Sequence, residues 1–205
     1  MLLIKSKFKV AKRLGAAIFE KTQSQKFALS EARSAASKKS RGPRGGSDYG
    51  RQLLEKQRVR FTYGLSEKQL ANYAESAFAK DDPSASLHRE LEMRADSAAY
   101  RAGFLPTRRA ARQAVSHGHI TINGKRTTSP SYRVRKGDTI AIREGSRQSP
   151  LFASLNEKKE EYSRAIPQWL NVDLNLLKAE VVGEPIYSPI EVGLDYATVF
   201  EFYSR

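Results

Sequence analysis

The first half of the chain carries apolar side chains at helical spacing. Residues 48–63 predict a helix that Gly64 ends, with Leu54, Arg58 and Phe61 along one stripe. Residues 66–69, Ser-Glu-Lys-Gln, are typical of a capping box that opens a second helix. The apolar stripe of this second helix is expected to consist of Leu70, Tyr73, Ala74 and Ala77.

A third helix is predicted to start near Leu87 and to stop at Gly103. Leu87, Leu91 and Ala95 are four residues apart, which places them on one helical face. Three helices with one apolar stripe each are expected to pack as a small bundle. Residues 9–33 show only a weak helical pattern.

The pattern changes to a helix, a turn and short strands between residues 107 and 124. Thr107 is placed to cap a helix in which Ala111, Ala114 and Val115 face inward and Arg108, Arg109 and Arg112 share the other side. Gly118 suits the left-handed residue that ends a helix. Ile120 and Ile122 then alternate with polar residues, and Asn123-Gly124 is a strong hairpin signal. This segment predicts either an RNA-binding module or a solvated basic helix beside an ordinary hairpin.

Further short strands are predicted downstream. Val134 is expected inward between outward Arg133 and Arg135, residues 136–138 turn the chain, and Ile140 and Ile142 are expected inward opposite Arg143. The C-terminal part predicts a helical stretch over 151–162, an anchor at Trp169-Leu170 and a hairpin-like segment over 178–186. The pattern as a whole indicates an α+β protein, with an N-terminal helical bundle, a helix-turn-strand motif and a short antiparallel sheet.

The charge distribution favours a polyanionic partner over the solvated-face interpretation. The chain has 205 residues and a net charge of +14, and its basic excess lies in residues 1–64, with 16 basic and 4 acidic, and in 101–147, with 11 and 2. Two basic blocks separated by acidic ones indicate surfaces that face nucleic acid. A membrane is not expected, because the basic helix carries alanines opposite its arginines instead of large apolar residues.

Other functional classes find little support. The chain has no cysteine, which excludes disulfides and thiolate metal sites, and the pair His117 and His119 lacks further ligands nearby. We therefore expect no metal, no cofactor and no catalysis.

The apolar opening of four residues is too short for a signal peptide, so we expect a soluble, non-secreted protein, with an organellar transit peptide as an alternative. Residues 34–47, rich in Gly, Ser and basic residues, are expected to become ordered only on a partner.

Three sets of residues together resemble a known family, the fourth protein of the small ribosomal subunit of bacterial type. The N-terminal set is Ser47-Asp48-Tyr49-Gly50, Leu54-Glu55-Lys56-Gln57, Arg60, Tyr63-Gly64, Glu67 and Gln69. The middle set resembles the RNA-binding domain named after that protein and includes Tyr100-Arg101, Gly103-Phe104, Thr107-Arg108, Ala111-Arg112-Gln113, His117-Gly118-His119, Asn123-Gly124, Pro130-Ser131-Tyr132 and Gly137-Asp138. The C-terminal set is Pro167, Trp169-Leu170, Val172-Asp173 and residues 201–205.

The resemblance implies a structural, non-enzymatic protein that binds rRNA of the 16S type. The family binds early in small-subunit assembly at a junction of the 5′ domain, near the mRNA entrance and beside the third and fifth small-subunit proteins. It implies a monomer within the ribosome of the bacterial cytoplasm, with an organellar ribosome as the alternative. Two rival interpretations stay open: a stand-alone RNA-binding factor, and an RNA-modifying enzyme, since pseudouridine synthases and a tyrosyl-tRNA synthetase carry the same RNA-binding domain.

Charge pattern and resemblance together define the expected domains and the expected RNA contacts. The domains are a basic extension over 1–47, a helical domain over 48–90, an RNA-binding domain over 91–147, and C-terminal segments over 148–205 that pack back on the helical domain. The expected RNA-binding residues are Arg41, Arg44, Tyr49, Arg51, Lys56, Arg58, Arg60, Arg101, Thr107, Arg108, Arg109, Arg112, Gln113, His117, His119, Asn123, Lys125, Arg126, Ser131, Tyr132, Arg133, Arg135 and Lys136.

The N-terminus departs from many members of the family, which carry four zinc-binding cysteines there. Phe8 and Ala11 stand where two of those cysteines would be, and Phe27 lies near a third. We therefore expect a zinc-free variant in which apolar contacts replace the metal. Val10, Leu14, Ile18 and Phe19 are spaced for one helix, with Phe8 and Phe27 covering its ends.

Overall fold

A computed structural model of the chain describes residues 6–15, 18–19, 22–38, 47–153 and 166–204, and all their side chains except those of 34–38 and 153. Its helices in chain order are α1 Lys7–Leu14, α2 Gln25–Lys38, α3 Asp48–Tyr63, α4 Glu67–Phe78, α5 Pro83–Glu92, α6 Ala95–Arg101, α7 Arg108–Ser116, α8 Pro150–Ala153, α9 Pro189–Val192 and α10 Tyr196–Tyr203. Its strands are β1 Ile120–Ile122, β2 Lys125–Thr127, β3 Thr139–Ile142, β4 Leu170–Asp173 and β5 Lys178–Val181. The expected α+β class is confirmed.

The chain forms two compact units, one of Met1–Ser84 with Ser188–Arg205 and one of Ala85–Tyr187. The division differs from the expected domains in two ways. Strands β4 and β5 belong to the sheet of the second unit, so only the last residues of 148–205 pack on the N-terminal helices. Helix α5 belongs almost wholly to the second unit, so it is not the third helix of the bundle.

The first unit is built around α3, α4 and α10. Ser47 caps α3 by accepting a hydrogen bond from the Gly50 amide, and Gly64 ends the helix at a φ of 63°. The predicted capping box of α4 is present, with Ser66 and Gln69 bonded reciprocally. These caps satisfy amides that a helix terminus leaves open. The two ends of α3 and the start of α4 were therefore predictable from the sequence.

The buried face of α3 differs from the predicted stripe. The buried side chains of the helix are Gln52, Lys56, Val59 and Tyr63, while Leu54, Arg58 and Phe61 are half-buried. The reason is α10, which packs along α3: Tyr63 and Tyr196 bring their hydroxyl groups to 3.3 Å, and Phe200 meets Phe78 of α4 at a ring-centroid distance of 5.0 Å. C-terminal residues were expected to pack on the helical domain, but the sequence pattern did not reveal the helix α10 or which face of α3 it covers.

An apolar cluster lies at the N-terminus of the first unit. Ala11, Phe19 and Phe27 are buried, with Val10, Ile18 and Phe61 packed against them. Phe8 contacts Phe27 at a ring-centroid distance of 5.6 Å. Helix α1 ends at Gly15, whose φ is 64°, so residues 18 and 19 lie beyond it and the single predicted helix is wrong. Helix α2 continues to residue 38, five residues into the segment expected to lack structure, and 39–46 fall outside the described residues.

The second unit contains a five-stranded antiparallel sheet in the order β2-β1-β3-β5-β4. Ile120 pairs with Ile142 and Ile122 with Ile140, so these four buried side chains share the inner face. The turn between β1 and β2 has Asn123 at φ 51° and Gly124 at φ 77°, the backbone that an Asn-Gly hairpin requires. The apolar cluster that lies on this face includes Ala111, Ala114 and Val115 of α7.

The predicted helix from Leu87 to Gly103 is interrupted. Arg94 is extended and forms an antiparallel bridge with Arg133. Two hydrogen bonds flank the bridge, from Val134 N to Met93 O at 2.8 Å and from Ala95 N to Tyr132 O at 2.8 Å. This pairing ends α5 at Glu92 and starts α6 at Ala95, although Leu87, Leu91 and Ala95 are buried as expected. Within the described residues, every helix is too short or too polar to cross a membrane.

Candidate nucleic-acid interface

Helix α7 presents one apolar and one polar side. Thr107 caps it, since its hydroxyl oxygen accepts from the Ala110 amide at 3.0 Å. Ala111, Ala114 and Val115 are buried, and the helix packs against α6. Arg109 and Gln113 are exposed on the opposite side. The backbone of this segment follows the prediction, and Thr107 acts in it as a helix cap.

The end of α7 supports an arginine from the hairpin. The amides of Gly118 and His119 bond to the carbonyls of Val115 and Ala114, which is the Schellman arrangement, with Gly118 at φ 73°. Arg126 of β2 donates to the carbonyl of His117 at 3.1 Å. A Cβ atom at position 118 would collide with the Arg126 guanidinium, so glycine suits both the backbone and this contact.

Asn123 fixes the hairpin to the neighbouring turn. Its side chain donates to Asp138 Oδ1 at 2.8 Å and accepts from the Thr139 amide at 2.8 Å. Asp138 Oδ2 also accepts from the Arg135 amide at 2.7 Å. The amide of Asn123 and the carboxylate of Asp138 therefore hold the two turns that carry Lys125, Arg135 and Lys136, all of which are exposed.

The loop before β3 is held against the start of α6. Asp96 N bonds to Pro130 O at 3.2 Å, next to the pairing of residues 93–95 with 132–134. Ser131, Tyr132 and Arg133 are exposed on this loop, and Tyr132 keeps 45% of its surface accessible. A half-exposed ring on an anchored backbone can stack on a base or lie on a ribose.

These exposed side chains come from adjoining stretches of the second unit. Asp96 links α7 to the loop before β3, because its amide bonds to Pro130 and its carboxylate lies 3.4 Å from Arg112 Nε. Arg126 links β2 to the end of α7 through its hydrogen bond to the His117 carbonyl. We call the exposed set the basic surface; it consists of Arg109, Gln113, His117, Lys125, Arg126, Ser131, Tyr132, Arg133, Arg135 and Lys136. Clustered cations of this kind attract a polyanion and concentrate it at the surface.

Two arginines of α7 do not belong to the basic surface. Arg108 donates to Glu92 Oε1 at 2.8 Å and to Ser97 Oγ at 3.2 Å, and its guanidinium lies 4.7 Å from the Tyr100 ring centroid. Arg112 is paired with Asp96, and its side chain is only 13% exposed. The expectation that Arg108, Arg109 and Arg112 point the same way is wrong, because buried carboxylates draw two of the three inward.

Glu92 is the centre of a buried ionic cluster. Its carboxylate accepts two hydrogen bonds from Arg101, at 2.7 and 3.0 Å, as well as the one from Arg108. Burial would raise the pKa of Glu92, but the charges of Arg108 and Arg101 outweigh it and hold that pKa well below its usual range. Nearby, Arg94 and Asp96 form a second buried, bidentate pair with two bonds of 2.9 Å.

Two of the histidines, His119 and His88, have structural contacts. His119 Nδ1 shares a hydrogen bond with Ser146 Oγ at 3.0 Å, and its ring contacts Phe152 edge-on. Burial lowers the pKa of His119, and the neighbouring His117, Arg143 and Arg126 lower it further. His88 is buried against Tyr187, and burial lowers the pKa of His88 as well. Among the described residues, no three His, Asp or Glu side chains group closely enough to hold a metal ion.

Among the first-unit residues that we expected to contact RNA, some are exposed and others are paired within the unit. Tyr49 and Arg51 are exposed, the latter beside Asp48. Lys56 is buried and paired with Glu67. Arg58 donates to the carbonyl of Leu14 at 2.8 Å and pairs with Glu55, and Arg60 donates to Gln57 and to the carbonyl of Leu65. Arg41 and Arg44 lie outside the described residues.

Arg143 and Arg147 are exposed cations that the expected site omitted. Arg143 directly follows β3, and its amide bonds to the carbonyl of His119. Strand alternation already predicted that Arg143 points outward from Ile142, so the signal was available. Arg147 follows a 3-10 helix, Glu144–Ser146, which the sequence pattern did not reveal.

Comparisons with known proteins cover both units. Residues 3–92 match the family described as ribosomal protein S4/S9 N-terminal domain, and residues 93–140 match the S4 domain. The small ribosomal subunit protein uS4 of Roseiflexus castenholzii is 41% identical over 202 residues, with 96% of each chain covered. The uS4 proteins of Roseiflexus sp. (strain RS-1) and Thermus thermophilus are 44% and 42% identical over 160 residues, covering 78% of this chain and 78% and 76% of their own lengths.

Proposed function

The chain belongs to the uS4 family of small-ribosomal-subunit proteins and so is a structural ribosomal protein that binds rRNA; from this premise we propose where and how it binds. The protein is a primary binder of a multi-helix junction in the 5′ domain of 16S-type rRNA. It joins the subunit early and stabilises the fold of that junction. The observation that carries the proposal is the basic surface on the second unit.

The basic surface suits folded RNA better than a single base sequence. Double-helical RNA presents phosphates and 2′-hydroxyl groups, which guanidinium and ammonium groups contact without reading sequence. Arg109, Arg126, Arg133 and Arg135 are carried by backbone that the contacts of Asp96, His117 and Asp138 hold in place. Cations on fixed backbone recognise the arrangement of phosphates, and that arrangement is what distinguishes one RNA junction from another.

Flat side chains add contacts that phosphate pairing does not supply. Tyr132 and His117 are exposed in the second unit, and Tyr49 is exposed at the start of α3 in the first unit. Such rings stack on unpaired bases or rest on sugars at junctions, where bases are splayed. Arg41, Arg44 and Arg51 extend the expected contacts of the first unit.

The remaining surfaces face other components of the subunit. We assign the neighbourhood of the third and fifth small-subunit proteins and of the mRNA entrance to this chain. Residues 148–205 carry 9 acidic and 5 basic side chains, a balance that disfavours RNA and favours protein neighbours. The protein acts as a monomer in the ribosome, in the bacterial cytoplasm, without enzymatic activity.

The two rival functions are less well supported. An RNA-modifying enzyme would devote much of its length to a catalytic domain, whereas a uS4 relative matches this chain over 96% of both lengths. A stand-alone RNA-binding factor would not account for the match of residues 3–92 to a ribosomal N-terminal domain.

Hydroxyl-radical footprinting on 16S-type rRNA tests the proposal. The purified chain is added to a 5′-domain transcript and, as a matched control, to a 3′-domain transcript of equal length. We expect protection confined to one junction of the 5′ domain, at protein concentrations that leave the 3′ domain unprotected. Equal affinity for both transcripts, or diffuse protection, would contradict the proposed site.

A further inference from the structure

Glu92 joins the ends of three helices. It is the last residue of α5, and its carboxylate bonds to Arg101, the last residue of α6, and to Arg108, the first residue of α7. The carboxylate is 1% exposed, while the side chains of Arg101 and Arg108 are 33% and 15% exposed. Three charge-assisted hydrogen bonds to one buried carboxylate define the geometry of both guanidinium groups.

A second carboxylate holds α7 one turn further on. Asp96, near the start of α6, bonds to both ends of the Arg94 fork and lies 3.4 Å from Arg112 Nε. Arg112 follows Arg108 by four residues, so the two are neighbours along one side of the helix. The inner side of α7 is therefore fixed at two successive turns, and Arg109 and Gln113 project from the exposed side.

We propose that Glu92 is a positioning residue of the rRNA interface: by holding Arg108 it sets the orientation of α7 and thereby the direction in which Arg109 and Gln113 meet RNA. The proposal rests on the proposed rRNA-binding function and deepens it. Glu92 acts through Arg108 and does not contact RNA. A positioning role differs from general stability, because it affects the affinity of protein that is fully folded.

The alternative assignment makes Arg108 a phosphate ligand, as its position on a basic helix suggests. The structure argues against it, because the guanidinium already donates to Glu92 and Ser97 and lies over Tyr100. A phosphate would have to displace a buried carboxylate that two arginines share. The two assignments predict opposite effects when the carboxylate is removed, since Glu92 supports α7 in one and competes with RNA in the other.

The test compares Glu92→Gln with Glu144→Gln in binding to the 5′-domain transcript. Both variants add one unit of net positive charge, but Glu144 is exposed, so it controls for charge alone. Circular dichroism melts establish that each variant is folded at the assay temperature. We expect folded Glu92→Gln to bind roughly tenfold more weakly than the parent, and Glu144→Gln to bind within about twofold of the parent. Parental or tighter binding by folded Glu92→Gln would overturn the proposal.

If Glu92→Gln does not fold, Arg108→Lys and Arg89→Lys decide. Lysine keeps the charge but not the fork that bridges Glu92 and Ser97. Arg89 pairs with Glu184 and lies outside the basic surface, so Arg89→Lys is the control for the change of side chain. A positioning role predicts weaker binding for Arg108→Lys with an unchanged salt dependence, and parental binding for Arg89→Lys. Equal, parental affinity of both variants would overturn the proposal. The parent is measured in the same assay: its binding supports the proposed function whatever the variants do, and its failure to bind would overturn both proposals.

Discussion

The ammonium group of Lys56 lies 3.9 Å from the centroid of the Phe202 ring and 2.6 Å from a carboxylate oxygen of Glu67. These contacts connect three helices, because Lys56 is in α3, Glu67 in α4 and Phe202 in α10. Tyr203 donates to the same carboxylate at 3.2 Å, and burial and the charge of Glu67 raise the pKa of Tyr203. We expected Lys56 to contact RNA, but its contacts with Glu67 and Phe202 instead stabilise the helical unit.

Replacing Lys56 with Ala is expected to destabilise the first unit. The Lys56 side chain is 7% exposed, whereas that of its ion-pair partner Glu67 is 46% exposed. The variant loses this ion pair and the cation–π interaction with Phe202. We therefore expect the free energy of unfolding to fall by about 1 to 3 kcal/mol. Lys68→Ala, at an exposed position of α4, is the control and should change that free energy by less than about 0.5 kcal/mol. Chemical denaturation measures both. Equal stability of the two variants would show that the Lys56 contacts contribute nothing.

Replacing Gly118 with Ala is expected to reduce rRNA affinity through Arg126. The positive φ alone costs about 1 to 2 kcal/mol of stability for alanine, and Gly124→Ala carries the same cost at φ 77° with open space around it. Only Gly118→Ala also displaces the guanidinium of Arg126. Both variants should melt earlier, but Gly118→Ala should bind rRNA more weakly than Gly124→Ala. Indistinguishable affinities would remove Arg126 from the interface.

The N-terminal apolar cluster is expected to be stable without metal. Phe27 is 1% exposed and packs on Phe8 and Ala11, so Phe27→Ala should cost about 3 to 5 kcal/mol of unfolding free energy. Leu29→Ala in the same helix, at a side chain 63% exposed, is the control. A chelator should change neither the melting temperature nor the rRNA affinity of the parent. Stoichiometric zinc in elemental analysis, with binding lost on chelation, would contradict this.

The ion pairs of Glu92 predict a specific pH dependence. The pKa of Glu92 is lower in the folded state than its ordinary value of 4.5, because Arg108 and Arg101 outweigh the effect of burial. The stability that the charge contributes is therefore fully present above pH 4.5 and declines as pH falls below it, by about 1.4 kcal/mol per pH unit. The difference in unfolding free energy between the parent and Glu92→Gln should be constant from pH 5 to 7 and shrink on acidification. A difference independent of pH would contradict the depressed pKa.

Local signals in the sequence predicted the parts of the fold that depend on neighbours along the chain. The capping box at Ser66, the Asn123-Gly124 turn and the alternation of Ile120 and Ile122 all occur as expected, because a few consecutive residues determine each of them. The α+β class and the position of helix α7 followed from these signals.

The remainder depended on contacts between distant residues. Glu92 and Arg108 are sixteen positions apart, and Phe202 meets Lys56 from the other end of the chain. No local pattern distinguishes an arginine that faces a buried carboxylate from one that faces solvent. The charge map therefore indicated a basic region of the sequence in which Arg109, Arg126 and Arg135 are exposed. It also led us to expect RNA contacts from Lys56, Arg108 and Arg112, which the structure pairs with carboxylates inside their units.

The salt dependence of rRNA binding tests the central claim most directly. The parent is compared with a variant in which Arg109, Arg126, Arg133 and Arg135 are all alanine, and with Lys178→Ala, an exposed control in β5. We expect the slope of log affinity against log salt concentration to fall in magnitude by roughly 1 for each phosphate that the variant no longer neutralises, so by up to about 4 for the fourfold variant and by none for the control. Equal slopes for the parent and the fourfold variant would show that the basic surface does not bind rRNA.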